Sequence, residues 1–267
     1  MVTLKHITAN NTHLSSATKN LTAVFLGATN GIGLGTLKAL TTHTDSPTIF
    51  VVGRKASSLS DLIANTLKPL NSNATFHPII ASDLTLISST KDAAQQIVNF
   101  KGIEKIDLLV MSPGYISLLR EMSPEGVDRL TAIRYYSRMR FLMTLLPLLR
   151  KSSNPRVVSV LGAGQEGQLW PEDWTMEKHW GLANAAGASG SLKTLMLEQL
   201  SEKEENKNIS FVHLFPGLVG DTGLKFEGLG FITNALLVWI GRPLVWLFSR
   251  SGAEAGERVL YAATSEK

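Results

Sequence analysis

Four glycines, Gly27, Gly31, Gly33 and Gly35, follow an apolar run over residues 21–26, and their placement suits the binding of a diphosphate. Beyond Gly31 the apolar positions Ile32, Leu34, Leu37 and Leu40 take up a helical period. In the order strand, glycine-rich turn, helix, each glycine has a physical task. One makes the tight turn off the strand, one lets the backbone approach a pyrophosphate, and the last lets the helix lie close on the sheet. The unpaired N–H groups of the helix's first turn, with the positive end of its dipole, then face the phosphates. Gly27, Thr29, Asn30, Gly31, Ile32 and Gly33 are therefore expected to hold a dinucleotide. The next apolar stretch, residues 48–52, ends in Gly53-Arg54-Lys55. An acidic residue there would bond a ribose 2′-hydroxyl, whereas arginine accommodates a 2′-phosphate, so Arg54 and Lys55 favour NADP(H) over NAD(H).

The elements that must position these groups alternate along the chain. Residues 1–20 form a polar N-terminal arm, and residues 21–267 form one domain. Residues 48–52 are wholly apolar or β-branched, as a strand buried on both faces requires. Residues 58–70 have helical spacing, and residues 75–80 make a third strand in which Pro78 implies irregularity. Asp83 follows, placed to cap the next helix, 86–100, or to meet the adenine. A fourth strand over 106–111 ends in Ser112-Pro113-Gly114. The helix predicted over 124–149 is apolar on nearly all sides, so it is buried or lies against a second subunit, with Pro147 kinking or ending it. A fifth strand (156–161), a Gly-, Glu- and Trp-rich loop (162–179), a helix to about residue 202 and a sixth strand (209–215) follow. Pro216-Gly217 then opens a loop, and a last helix covers 253–263. Strand and helix in alternation predict an α/β fold, a Rossmann-like, doubly wound parallel sheet.

The totals exclude several classes. At 267 residues with a formal charge of +4, the chain can bury a sizeable core and is only mildly basic. Its basic residues form no run interleaved with aromatics, so a nucleic-acid partner is not expected. The absence of cysteine removes disulfides and thiolate metal sites and fits a reducing, cytoplasmic setting. The first twenty residues are polar and unlike a secretion signal. The apolar segment 228–241 is broken by Arg242 and Pro243, short of the ~18 residues of a membrane span.

The order of elements, with Gly27-Ala28-Thr29-Asn30-Gly31-Ile32-Gly33 near the start, Asp83-Leu84 after the third strand and Pro216-Gly217 after the sixth, resembles the short-chain dehydrogenase/reductase superfamily over roughly residues 20–265. Within it, Tyr135-Tyr136-Ser137-Arg138, residues 211–217 and Ala255-Gly256-Glu257-Arg258 resemble fungal reductase-like proteins, which often belong to natural-product pathways. The resemblance implies that Asp83, Leu84, Ser112, Pro113, Gly114, Pro216 and Gly217 also contact the cofactor. It further implies a catalytic Asn, a Ser after the fifth strand and a Tyr-x-x-x-Lys pair, and here the chain departs. Arg134 takes the asparagine's place, Gly162 or a neighbour the serine's, with Ser159 earlier on the strand. None of the four tyrosines (Tyr115, Tyr135, Tyr136 and Tyr261) has a lysine four residues on. The helix that should carry the pair reads Leu182-Ala183-Asn184-Ala185-Ala186-Gly187, and Ser112-Pro113-Gly114 replaces the usual Asn-Ala-Gly. The usual seventh strand is missing or lies beyond Lys267.

Three residues remain as candidates for the chemistry. Arg134 is a fixed cation able to polarise a carbonyl or stabilise an enolate. Tyr135, or its neighbour Tyr136, can donate a proton if it faces the cleft. The 162–180 loop carries Glu166, Glu172, Asp173 and His179 among Trp170, Trp174 and Trp180. Asp173, beside Trp174, is expected to have a raised pKa and serve as general acid. Segment 222–250, with Trp239 and Trp246, is expected to cover a hydrophobic substrate, and an interfacial membrane contact is its other reading. The function expected is NADPH-dependent reduction of an apolar carbonyl, imine or conjugated alkene. Non-redox cyclisation, isomerisation or dehydration on the same scaffold, and non-catalytic NADP binding, stand beside it.

Overall fold

Six short runs rich in β-branched and aliphatic residues pair in parallel, and the central ones are buried on both faces and need helices on either side. The computed structural model describes residues 2–14, 20–220, 226–227 and 249–265. The main strands are β1 (Thr22–Leu26), β2 (Thr48–Gly53), β3 (Thr75–Ile80), β4 (Leu108–Met111), β6 (Arg156–Val160) and β7 (Ser210–Leu214), in the order β3-β2-β1-β4-β6-β7. Two short strands, β5 (Ile116–Ser117) and β8 (Phe226–Glu227), pair separately. Pro78 is tolerated because β3 is an edge strand, where a missing N–H interrupts no second ladder.

Alternation along each strand divides the core in two. Val24, Leu26, Phe50 and Val52 face one layer, with α4 (Ile87–Val98), α5 (Ser137–Leu149) and α6 (Leu182–Ser201). Ala23, Phe25, Ile49 and Val51 face the other, with α2 (Gly31–His43), α3 (Ala56–Leu62) and α7 (Gly252–Thr264). The strand order reverses between β1 and β4, and the carboxyl ends of these two neighbours form the crevice where doubly wound sheets bind ligands.

Three features differ from the sequence reading. The polar N-terminal stretch is not an arm: Leu4–Thr12 forms helix α1, which buries Ile7 and docks on α7, Asn11 Nδ2 donating to Glu257 Oε2 at 2.7 Å. The helix predicted from residue 124 begins at Arg129 and passes through a π-helical turn, Ala132–Tyr136, before α5. Pro147 does not end that helix, which continues to Leu149. Of the expected covering segment, Phe226–Glu227 pairs with Ile116–Ser117. Trp239, Trp246 and most of 222–250 lie outside the described residues. No helix among the described residues is long and apolar enough to cross a membrane.

Candidate active site

The glycine corner is built as tightly as a diphosphate site needs. Gly27 leaves β1 with φ +82°, and a Cβ there would lie 2.7 Å from the backbone nitrogen of Pro113. Gly33 is closed in by Ser112 Oγ and by the carbonyl of Gly27, at 2.2 and 2.5 Å from the place of a Cβ. Ser112 Oγ donates to that same carbonyl at 3.0 Å, joining the ends of β1 and β4. Asn30 caps α2 through a bond from the Gly31 N–H, 2.8 Å. The following N–H groups, of Ile32 and Gly33, have no acceptor within the helix and point where an anion would sit. The last glycine serves another partner than the sheet: a Cβ on Gly35 would stand 1.9 Å from the Gly252 carbonyl, so α2 packs backbone to backbone on α7.

Thr29 touches the end of β2, its methyl 3.1 Å from where Gly53 would carry a Cβ. Arg54 and Lys55 stand exposed just beyond, and neither makes an ion pair among the described residues. Asp83 does not cap the next helix. Its carboxylate accepts from the Thr85 N–H (2.8 Å) and hydroxyl (2.7 Å) and pairs with Arg129 (2.9 Å). Burial alone would raise its pKa, but these bonds outweigh it and bring the net shift below the usual value. The α4 cap comes instead from Glu125, which receives the Ile87 and Ser88 N–H groups at 2.6 and 2.9 Å. Leu84 sends its side chain into the core, leaving its backbone for any ligand. On the far side of the crevice Gly217 has φ +92°, and Arg250 Nη1 donates to the Pro216 carbonyl at 2.7 Å.

Past the ends of β4 and β6 opens a cleft of about 230 Å³ lined by Arg134, Leu161, Gly162, Gln165, Gly187 and Lys193, with Ala183, Ala186 and Gly190. It adjoins the crevice, since a Cβ on Gly114 would lie 3.7 Å from Leu161. Arg134 sits in the π-helical turn, a distortion that often marks a functional position, and its Nε donates to Ser189 Oγ at 3.1 Å. Below it Arg138, fully buried, donates to the carbonyls of Met111 (2.8 Å), Pro113, Val160 and Ile133 and to Ser159 Oγ (3.0 Å). Ser159 is thereby a structural acceptor. Burial and the neighbouring Arg134 lower the Arg138 pKa to about 9.

Of the three catalytic candidates, only Arg134 lines this cleft. Tyr135 packs on the core beneath the sheet and edge-on to Tyr136, ring centroids 5.0 Å apart. Burial, with Tyr136 beside it, raises its pKa and keeps the phenol protonated. Asp173 is the clear correction. Trp174, adjacent in sequence, is 52% exposed, and the carboxylate faces its own loop, accepting N–H bonds from Glu177, Lys178 and His179 at 2.8–3.0 Å. Its burial would raise the pKa, but those N–H groups and the His179 ring at 2.9 Å bring it down to about 2. Asp173 is a loop brace, held ionised, with His179 stacked on Trp170.

Sequence reasoning missed Lys193. It is fully buried in α6, with Nζ 3.3 Å from both the Leu161 carbonyl and His213 Nε2. Burial, then Arg138 and Arg134, push its pKa down to about 5, against an upward pull from Glu166. His213 on β7 is likewise lowered, to about 4, by burial and by Lys193. Its Nδ1 meets Thr194 Oγ1 at 2.8 Å, and Thr194 donates to Glu166 at 2.8 Å. The signal was present: Ala185, Ser189, Lys193, Leu197 and Leu200 share the buried face of α6, and a lysine on such a face needs a reason.

Comparison with known proteins bears on this arrangement. A family model described as short chain dehydrogenase matches residues 21–170. Oxidoreductase AN1596 of Emericella nidulans is 38% identical over 266 residues, covering 99% of this chain and 78% of that protein. Short-chain dehydrogenase/reductase SAT2 of Stachybotrys chartarum is 30% identical over 266 residues, covering 92% and 73%. Among solved structures, the Pseudomonas aeruginosa RhlG/NADP active-site complex superposes with a TM-score of 0.68 at 17% identity, covering 95% of this chain and 93% of that one.

Proposed function

Because the chain belongs to the short-chain dehydrogenase family, we propose that it is an NADP(H)-dependent oxidoreductase reducing a carbonyl, imine or conjugated alkene on a largely apolar substrate. The fungal relatives named as oxidoreductases support a place in secondary metabolism. The observation that carries the reading is the corner at Gly27 and Gly33, where side chains are excluded at 2.2–2.9 Å by the end of β4 and the α2 N-terminus is left open to an anion. These residues fit a nicotinamide dinucleotide: Gly27, Thr29 and the Ile32 and Gly33 amides for the diphosphate, Arg54 and Lys55 for a 2′-phosphate. When bound, the dinucleotide supplies or accepts a hydride.

The chain's own residues have the remaining work. Arg134 presents to an oxygen of the substrate a guanidinium that stays charged. Arg138 fixes the ends of β4 and β6, and with them the wall between crevice and cleft. No phenol stands at the start of α6, where Leu182-Ala183-Asn184-Ala185-Ala186-Gly187 takes the place of the family's tyrosine–lysine pair, so protonation falls to another group or to water. That same substitution favours the second reading, a non-redox cyclisation, isomerisation or dehydration in the same cleft.

Fluorescence titration of the protein with NADPH and NADH tests the proposal. NADPH should bind at least ten-fold tighter, a difference of about 1.4 kcal/mol, and equal affinities would remove the argument from Arg54. Consumption of NADPH with a carbonyl substrate separates the redox reading from the non-redox one.

A further inference from the structure

Two basic side chains, Arg134 and Lys193, line the cleft with the buried Arg138 behind them, and none of the three makes an ion pair among the described residues. Arg138 spends its donors on carbonyls that need them. Arg134 is different, with its Nε on Ser189 and the guanidinium on the cleft wall opposite Gly162, where a Cβ would lie 4.0 Å from Nη2. A guanidinium drawn out of water without a counter-ion is costly, and a planar fork facing a cavity is suited to a carboxylate. Glu166, the acid that acts on Lys193, is engaged with Thr194 and with His213 at 3.5 Å.

We propose that this cleft receives a carboxylate on the substrate, set against Arg134, and that Lys193 takes up one proton when the carboxylate binds. The inference rests on the cleft being the substrate site. The groups facing Lys193 are Arg134 and Arg138 from the helical segment 132–149, Glu166 from the loop above, His213 from β7 and Thr194 from α6 itself. Burial first, then the Arg138 and Arg134 guanidiniums, hold the amine's pKa down to about 5 in the free protein, which leaves it mainly neutral at pH 7. A bound anion offsets the guanidiniums and so raises the amine's pKa toward neutrality against the burial that remains, and the charged form gains in population. The proton comes from water and goes to the Nζ lone pair, and no bond to the substrate forms. Leu161, Ala183 and Ala186 line the same cleft and can meet the apolar remainder of the molecule.

Isothermal titration of the whole chain with benzoate and with benzamide, in two buffers of different ionisation heat, tests this. Benzoate should bind at least ten-fold more tightly than benzamide at pH 7, with up to one proton taken up per chain. Below about pH 5 that uptake should vanish, because Lys193 is already charged in the free protein. Arg134→Gln should remove the preference for benzoate, and Lys193→Met should remove the proton uptake. Equal affinity, no binding of benzoate, or uptake unchanged in Lys193→Met each overturns the proposal. Should Arg134→Gln fail to fold, the two ligands and the proton count on the wild-type chain decide. A parallel NADPH titration separates the two ideas. NADPH bound without preference for benzoate defeats this inference alone, and preference without NADPH binding defeats the nucleotide reading alone.

Discussion

Replacing Gly33 by alanine tests the nucleotide corner most directly. The new methyl would arrive 2.2 Å from Ser112 Oγ, 2.5 Å from the Gly27 carbonyl and 3.0 Å from the Ala28 Cα. Ordinary contact requires the first two to retreat by about 1 Å. Ser112 can rotate away, losing its bond to the Gly27 carbonyl at about 1 kcal/mol. The carbonyl itself is backbone and cannot yield without the turn moving, an overpacking cost of about 1–3 kcal/mol. The least costly relief is for α2 to slide off the end of β4, which carries the Ile32 and Gly33 amides away from the phosphates. Stability should therefore fall by about 2–4 kcal/mol, and NADPH affinity by at least ten-fold, read by thermal melting and by quenching of tryptophan fluorescence. Gly102→Ala is the control: its φ is +92° and nothing lies within 4 Å of a Cβ, so it should lose about 1–2 kcal/mol through backbone strain with affinity unchanged. A Gly33→Ala protein that binds NADPH within two-fold of wild type would refute the reasoning.

Arg54→Ala should cost NADPH at least ten-fold in affinity while leaving NADH untouched, and competition binding between the two would expose any other outcome. Arg138→Met should lower stability by about 3–5 kcal/mol, because a buried group bridging the ends of two strands is lost and its carbonyl acceptors remain; a chemical denaturation midpoint unchanged from wild type would show that those bonds matter little. Asp173 has a folded-state pKa depressed to about 2, so its contribution to holding the 162–180 loop is complete above its unfolded pKa, about 3.9, and is lost as pH falls toward 2. Acid titration of tryptophan fluorescence should show the loop loosening between about pH 4 and pH 2 in the wild type, and Asp173→Asn should erase that transition.

The scaffold was readable because its strands are apolar on both faces and its helices follow at regular intervals. Pro78 was read as a sign of irregularity, yet β3 pairs with β2 in unbroken register and accommodates the proline because it is an edge strand. The glycine corner was readable because Gly27 and Gly33 are demanded by backbone geometry that sequence spacing reflects. The chemistry was harder. Asp173 was given a raised pKa on the strength of Trp174 next to it in sequence, yet its environment is set by three backbone N–H groups, which no residue pattern encodes. Lys193 was passed over because the lysine was sought four residues after a tyrosine; its place on the buried face of α6, opposite His213 on β7, carried the information. Arg138 and Arg134 differ by one helical turn and look alike in sequence, but one is spent on carbonyls and the other faces the cleft. Helix α1 was read as an arm because its polar residues hide the buried Ile7 and Asn11, the latter bonded to Glu257, 246 positions away on α7.

The meeting of Gly35 with Gly252 and Gly256 has a consequence for biogenesis. The helix that presents its amino end to the ligand rests on a surface made by α7, far along the polypeptide. A nascent chain that has emerged only as far as β7 already owns every residue of the glycine corner, but not the support that seats it. Competence to bind should thus be acquired late, after Gly252 and its successors clear the ribosome, rather than when the first strand and helix appear.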